Sequence, residues 1–160
     1  MKHAELVKRA HRWLANTQGC SVVLSELTAF TTTGETPDAL GFRPSYGVSI
    51  LVECKTSKAD FRADAKKAFR ISGVSGMGDY RFYMCEPGVL SHIDMPAGWG
   101  LLYVHEKRVT LEFGANPRKS EPAPFTGHKK NELIMCVSAL RRVGAKAVDE
   151  ACKRKDKSND

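Results

Sequence analysis

Three residues of the chain have the types and spacing for phosphate chemistry. Asp38 follows Pro37, and fifteen positions further on Glu53 opens the triplet Glu53-Cys54-Lys55. Two carboxylates brought together suit a hard divalent cation, which takes oxygen ligands, and an ammonium beside them suits a water or a phosphate oxygen. The triplet ends an apolar run, Val48-Ser49-Ile50-Leu51-Val52, whose β-branched residues read as a buried strand. Side chains alternate along a strand, so Glu53 and Lys55 share a face, roughly 6.8 Å apart along the chain, and Cys54 takes the other. Opposite charges at the end of a buried strand are costly to desolvate unless they pair or hold an ion.

The elements that must position them follow from periodicity. Residues 4–15 carry Leu6, Val7, Ala10, Trp13 and Leu14 at helical spacing, with Arg9, Arg12 and Glu5 elsewhere on the circumference. Residues 20–27 alternate as a strand that includes Glu26, and 31–35 form a polar turn leading to Pro37-Asp38. A hairpin is expected from strand 39–42, loop 43–47 and strand 48–55. A helix over 58–72 then starts at Ser57, with Asp60 placed to complete a capping box and Phe61, Ala65, Ala68 and Phe69 facing the core. Its cations Lys58, Arg62, Lys66 and Arg70 step by four along a basic ridge. After a glycine loop at 73–78 come strands 80–85, 101–104 and 109–113, then a proline-containing linker and a helix over 129–152. The glycine loop follows a helix and precedes a strand, the reverse of a phosphate-cradling order.

The motif resembles the PD-(D/E)xK nuclease superfamily, whose signature is Pro-Asp, a spacer and Asp/Glu-x-Lys, here Pro37-Asp38 and Glu53-Cys54-Lys55. Over most of residues 4–113 the opening helix, the strand with Glu26, the motif hairpin, the next helix and the later strands come in the superfamily's usual order. The stretch Ser57-x-x-Asp60-Phe61-x-x-Asp64-x-Lys66-Lys67 is similar to the segment after the catalytic lysine in some small bacterial DNA-repair members. The resemblance implies an α/β restriction-endonuclease-like core, a central mixed sheet flanked by helices, with a C-terminal helix added. It implies Asp38, Glu53 and Lys55 as the catalytic residues, with magnesium, or manganese in its place, held by Asp38, Glu53 and the backbone carbonyl of Cys54. Glu26 or Glu5 would complete that site, although Glu5 lies opposite its helix's apolar stripe, where solvent is the alternative. The implied reaction is phosphodiester hydrolysis leaving a 5′-phosphate and a 3′-hydroxyl. DNA, with RNA as the alternative, would lie on Lys58, Arg62, Lys66, Arg70 and Arg81.

Composition agrees with an anionic partner. The net charge is +7 and the isoelectric point near 9.3. The chain's 160 residues suit one domain, divided as a core 1–114, a linker 115–128, a helix 129–152 and a flexible charged tail 153–160. No apolar run spans a membrane, and the charged start Met1-Lys2-His3-Ala4-Glu5 has no signal core, so a cytoplasmic protein is expected. Five cysteines, without a Cys-x-x-Cys pair, argue against a disulfide scaffold or structural zinc. With no separate target-reading domain, structure-directed or weakly specific cleavage is expected, in phage or bacterial DNA processing, recombination or repair. Two other classes compete: a nuclease-like protein that only binds nucleic acid, and a subunit of a larger complex. The latter, or a homodimer, would dock through Leu133, Ile134, Val137 and Leu140 of the last helix.

Overall fold

The apolar stripe of the opening segment forms α1, His3–Arg12, which widens into a π turn at Trp13–Thr17. In the computed structural model, residues 1–67, 70 and 76–153 are described. The strands are β1 (Val22–Ser25), β2 (Ala39–Arg43), β3 (Val48–Cys54), β4 (Tyr80–Cys85), β5 (Gly100–Val104) and β6 (Val109–Phe113). Further helices among the described residues are α2 (Lys58–Ala65), α3 (Lys129–Val143) and α4 (Ala145–Lys153). The six strands make one mixed sheet in chain order, β1-β2-β3-β4-β5-β6. β3, β4 and β5 run parallel, and every other neighbouring pair is antiparallel. This is an α/β fold. Among the described residues no helix is long and apolar enough to cross a membrane.

Alternation along β3 decides what lies on each face. Ile50, Val52 and Cys54 pack with Phe82 and Met84 under Leu6, Val7 and Ala10 of α1 and Trp13 and Leu14 of the π turn. Burying each of the leucines there contributes about 1.5–3 kcal/mol relative to exposure. Gly41 permits the close approach, since a Cβ there would stand 2.6 Å from Cys20 Sγ. On the opposite face Leu51 packs with Leu40, Met77, Tyr83, Trp99, Leu101 and Met135.

α3 is fixed by its first turn. Glu132 Oε1 accepts from Ser49 Oγ at 2.7 Å and from the Gly78 N–H at 2.9 Å. Lys129 Nζ reaches Asp79 Oδ2 at 2.6 Å and Glu132 Oε2 at 3.1 Å. The connection before it bonds back to the same place, through Phe125 N to Asp79 O at 3.1 Å and Gly127 N to Asp79 Oδ1 at 2.8 Å.

Several boundaries differ from expectation. The 20–27 strand pairs only over Val22–Ser25, because Glu26 turns into the left-handed region at φ 50°. The helix expected over 129–152 is two helices broken at Gly144, whose φ of 94° leaves helical geometry. α2 ends at Ala65, where Lys66 caps it, and its inward residue is Asp64; Phe61 is half-buried and Ala65 exposed. Ser57 does cap α2, accepting from Asp60 N at 3.2 Å. The expected core positions Ala68 and Phe69, the start of the glycine loop at Gly73 and the tail 154–160 lie outside the described residues.

Candidate active site at the end of strand β3

The register Ala39↔Val52, continued by one residue, sets Asp38 opposite Glu53 at the end of the β2–β3 pairing. Asp38 Oδ2 accepts from the Cys54 N–H at 2.7 Å, which fastens its side chain to the triplet's backbone. Its other oxygen is 3.3 Å from His3 Nε2, at the start of α1, and the side chain keeps 18% exposure. Glu53 and Lys55, on the face away from α1, are buried, as is Asp64 from α2.

These buried charges form one network. Arg70 contacts Glu35 Oε1 at 2.6 Å, Glu53 Oε1 at 2.7 Å and Asp64 Oδ2 at 3.0 Å, each through a different nitrogen. Lys55 Nζ lies between Glu53 Oε2, at 3.5 Å, and Asp64 Oδ1, at 3.6 Å. Lys67 Nζ meets Asp64 Oδ1 at 2.8 Å, and the Tyr83 hydroxyl donates to Asp64 Oδ2 at 2.9 Å. Glu35 Oε2 accepts from the Met77 N–H at 2.7 Å. The Arg70 guanidinium lies 4.8 Å from the centre of the Trp99 ring, which stacks on Tyr83. Three carboxylates thus face three cations, the pairing that makes burial of so many charges tolerable.

Burial separates the carboxyls electrostatically. It pushes Glu53 up to about 7, against the opposing pull of Arg70, and the Asp38 charge adds to the rise. Burial also raises Asp64, but Arg70, Lys67 and Lys55 outweigh it and hold that carboxyl at about 2. Two neighbouring acids driven apart in this way give one that holds a proton readily and one that stays ionised. Burial pushes the Cys54 thiol upward, so it behaves as a small apolar side chain.

Of the residues singled out in the sequence, Asp38, Glu53, Cys54 and Lys55 come together. Glu5 and Glu26 do not join them. Glu5 is exposed on α1 in a depression with Lys2, Lys8, Arg9 and Arg12. Glu26 bonds Asp38 only through its backbone, N–H to carbonyl at 3.0 Å, and its side chain is exposed beside Lys8 and His11.

The expected basic ridge also breaks up. Arg62 and Lys66 are exposed, and Lys58 pairs with Asp94 at 3.4 Å. Arg70 is turned inward because the chain leaves α2 before reaching it. Arg81 is 2% exposed, donates to Gly78 O and Gly76 O at 3.1 and 2.8 Å, and covers the Phe125 ring. Neither arginine presents itself to a phosphate surface. The apolar stripe named for docking lies on α3, exposed at Leu133, Val137 and Leu140, while Ile134 is half-buried.

Sequence reasoning missed Glu35, Asp64 and Tyr83 as members of the site, and His3 beside Asp38. Two signals were local: Glu35 stands just before Pro37-Asp38, and Asp64 belongs to the stretch after Lys55 that carries part of the resemblance.

No protein-family model and no curated protein matches the chain. The solved structure of SPO1766, a protein of unknown function from Silicibacter pomeroyi, is similar at a TM-score of 0.60 and 24% identity. The match covers 98% of this chain and 97% of that one, so the likeness is one of the whole fold.

Proposed function

We propose that the chain is a magnesium-dependent nuclease that hydrolyses phosphodiester bonds in DNA, with weak or structure-directed specificity, on a restriction-endonuclease-like core. One observation carries the reading: a partly exposed carboxylate, Asp38, lies across the strand pairing from a buried acid, Glu53, with the Lys55 ammonium on the same face.

The donor set fits the ion by chemistry. Asp38, Glu53 and the Cys54 carbonyl offer only oxygen, as magnesium requires. When bound, magnesium lowers the pKa of its water and offsets charge on the phosphate. The remaining work falls to the chain. Arg70 fixes one Glu53 oxygen and leaves the other toward Lys55. Lys55, steadied between Glu53 and Asp64, is a hydrogen-bond donor for the attacking water and a phosphate oxygen. The Cys54 N–H orients Asp38, and the Tyr83 and Trp99 rings exclude water from the far side of the network.

A nucleic-acid-binding protein without catalysis is the second reading. It is favoured by the engagement of both Glu53 oxygens with cations of the chain itself. A panel of labelled DNA structures and RNA, incubated with magnesium, manganese or chelator, separates the two. The expected outcome is metal-dependent cleavage by the wild type and loss of at least 100-fold, on the order of a removed catalytic group, in Asp38→Ala, Glu53→Ala and Lys55→Ala. Full activity in any one variant, with its circular dichroism unchanged, removes that residue from the mechanism.

A further inference from the structure

α1 starts at the candidate site, where His3 meets Asp38, and its cations continue away from it. At 100° per residue, Lys8 and Arg12 project opposite the buried stripe of Leu6, Ala10 and Trp13, while Lys2 and Arg9 flank them on one side. On that side lies the turn joining β5 to β6. Arg9 fastens it to the helix, donating through Nη1 to Glu106 O and through Nη2 to His105 O, both at 2.9 Å. Lys107 and Arg108 are thereby held exposed beside Arg12. Two shallow depressions, one along α1 and one between α1 and the turn, share Arg9 and Arg12, so the cationic surface is continuous.

Its charge is concentrated. Six cations face Glu5, Glu106 and, on the far side of Lys8, Glu26, so a net three of the chain's seven excess positive charges lie here. Lys2 to Arg12 spans about 15 Å at the helical rise, the axial length over which one strand of a duplex presents about four phosphates.

We propose that this face of α1 with the β5–β6 turn is the surface along which a DNA duplex lies, its backbone leading to Asp38. The kind of partner rests on the nuclease reading; the surface itself does not. Arg9 acts by holding the turn, and Lys8, Arg12, Lys107 and Arg108 contact phosphate.

The test is the salt dependence of duplex binding by the full chain in chelator, where cleavage does not interfere. Each of Lys8→Gln, Arg12→Gln, Lys107→Gln and Arg108→Gln lowers the slope of log K against log salt by about 0.9, and the fourfold variant by about 3–4. All four side chains are exposed, so the melting temperature reports that the fold is kept. Glu5→Gln tightens binding, because it removes a repulsion in the middle of the surface. An unchanged slope in the fourfold variant overturns the inference, as does a slope that responds instead to Arg62→Gln and Lys66→Gln. Binding confined to single strands overturns the duplex. Salt-dependent binding on this surface with no cleavage of any substrate leaves the inference standing and removes the nuclease reading alone.

Discussion

Arg70 contacts three carboxylates, and the consequence for Asp64 is measurable. The Asp64 carboxyl is held at about 2 by Arg70, Lys67 and Lys55 against its own burial, and the Tyr83 hydroxyl donates to it as well. Its folded-state pKa lies below the ordinary 3.8, so the folded protein binds that proton less readily than the unfolded chain. The stabilisation is therefore complete above pH ~4 and is lost as pH falls toward ~2. At 1.36 kcal/mol per unit it is on the order of 2 kcal/mol. Urea unfolding at a series of pH values should show this loss in the wild type and a flatter profile in Asp64→Asn. At this scale the sequence was half legible. Pro37-Asp38 and Glu53-Cys54-Lys55 are local patterns, and strand alternation puts Glu53 and Lys55 on one face. The network around them draws on Glu35, Asp64, Arg70 and Tyr83, four segments whose meeting depends on the sheet. Arg70 read as the fourth member of a ridge only because a four-residue spacing presumes an unbroken helix.

Elements are tied down by polar groups as much as by apolar faces. α3 shows it: its buried first turn carries Asn131 and Glu132, while Leu133, Val137, Leu140 and Val143 are exposed. Glu132→Ala leaves the Gly78 N–H and the Ser49 hydroxyl without that acceptor in a buried place. The expected loss is about 1–3 kcal/mol per group. Native-state hydrogen exchange should find it as earlier opening of the Gly78 amide, whereas Leu133→Ala, on the exposed side, should change little. Helical periodicity predicts that a helix exists over 129–152 but not its division, since Gly144 inside such a pattern reads equally as a tolerated glycine or a break. The same holds for β1, shortened when Glu26 enters a left-handed conformation that nothing in its neighbours demands.

Across the whole molecule, strands and helices follow the order expected from the sequence, because the parallel pair β3–β4 requires a crossover and α2 supplies a helical part of it. A proposal about one site then becomes testable on global stability. A ligand that binds only the folded state stabilises by RT ln(1 + [L]/Kd), about 1.4 kcal/mol at ten times Kd. For a domain of this size that raises the melting temperature by roughly 3–6 °C. Calorimetry should give that rise with magnesium for the wild type and little for Asp38→Asn or Glu53→Gln. Equal rises in all three would place the ion elsewhere. β3 adds a constraint of a different kind. Ser49 at one end serves the Asp79–Glu132–Lys129 cluster, Glu53 at the other serves Arg70, and three apolar residues separate them. The strand therefore works as a spacer of fixed parity. An insertion of one residue between Ser49 and Glu53 would swing Glu53 and Lys55 toward the apolar underside of α1 and send Cys54 among the charges, disabling both ends at once. Tolerance of changes in chain length should thus be lost within β3 long before hydrophobicity limits which residues can stand there.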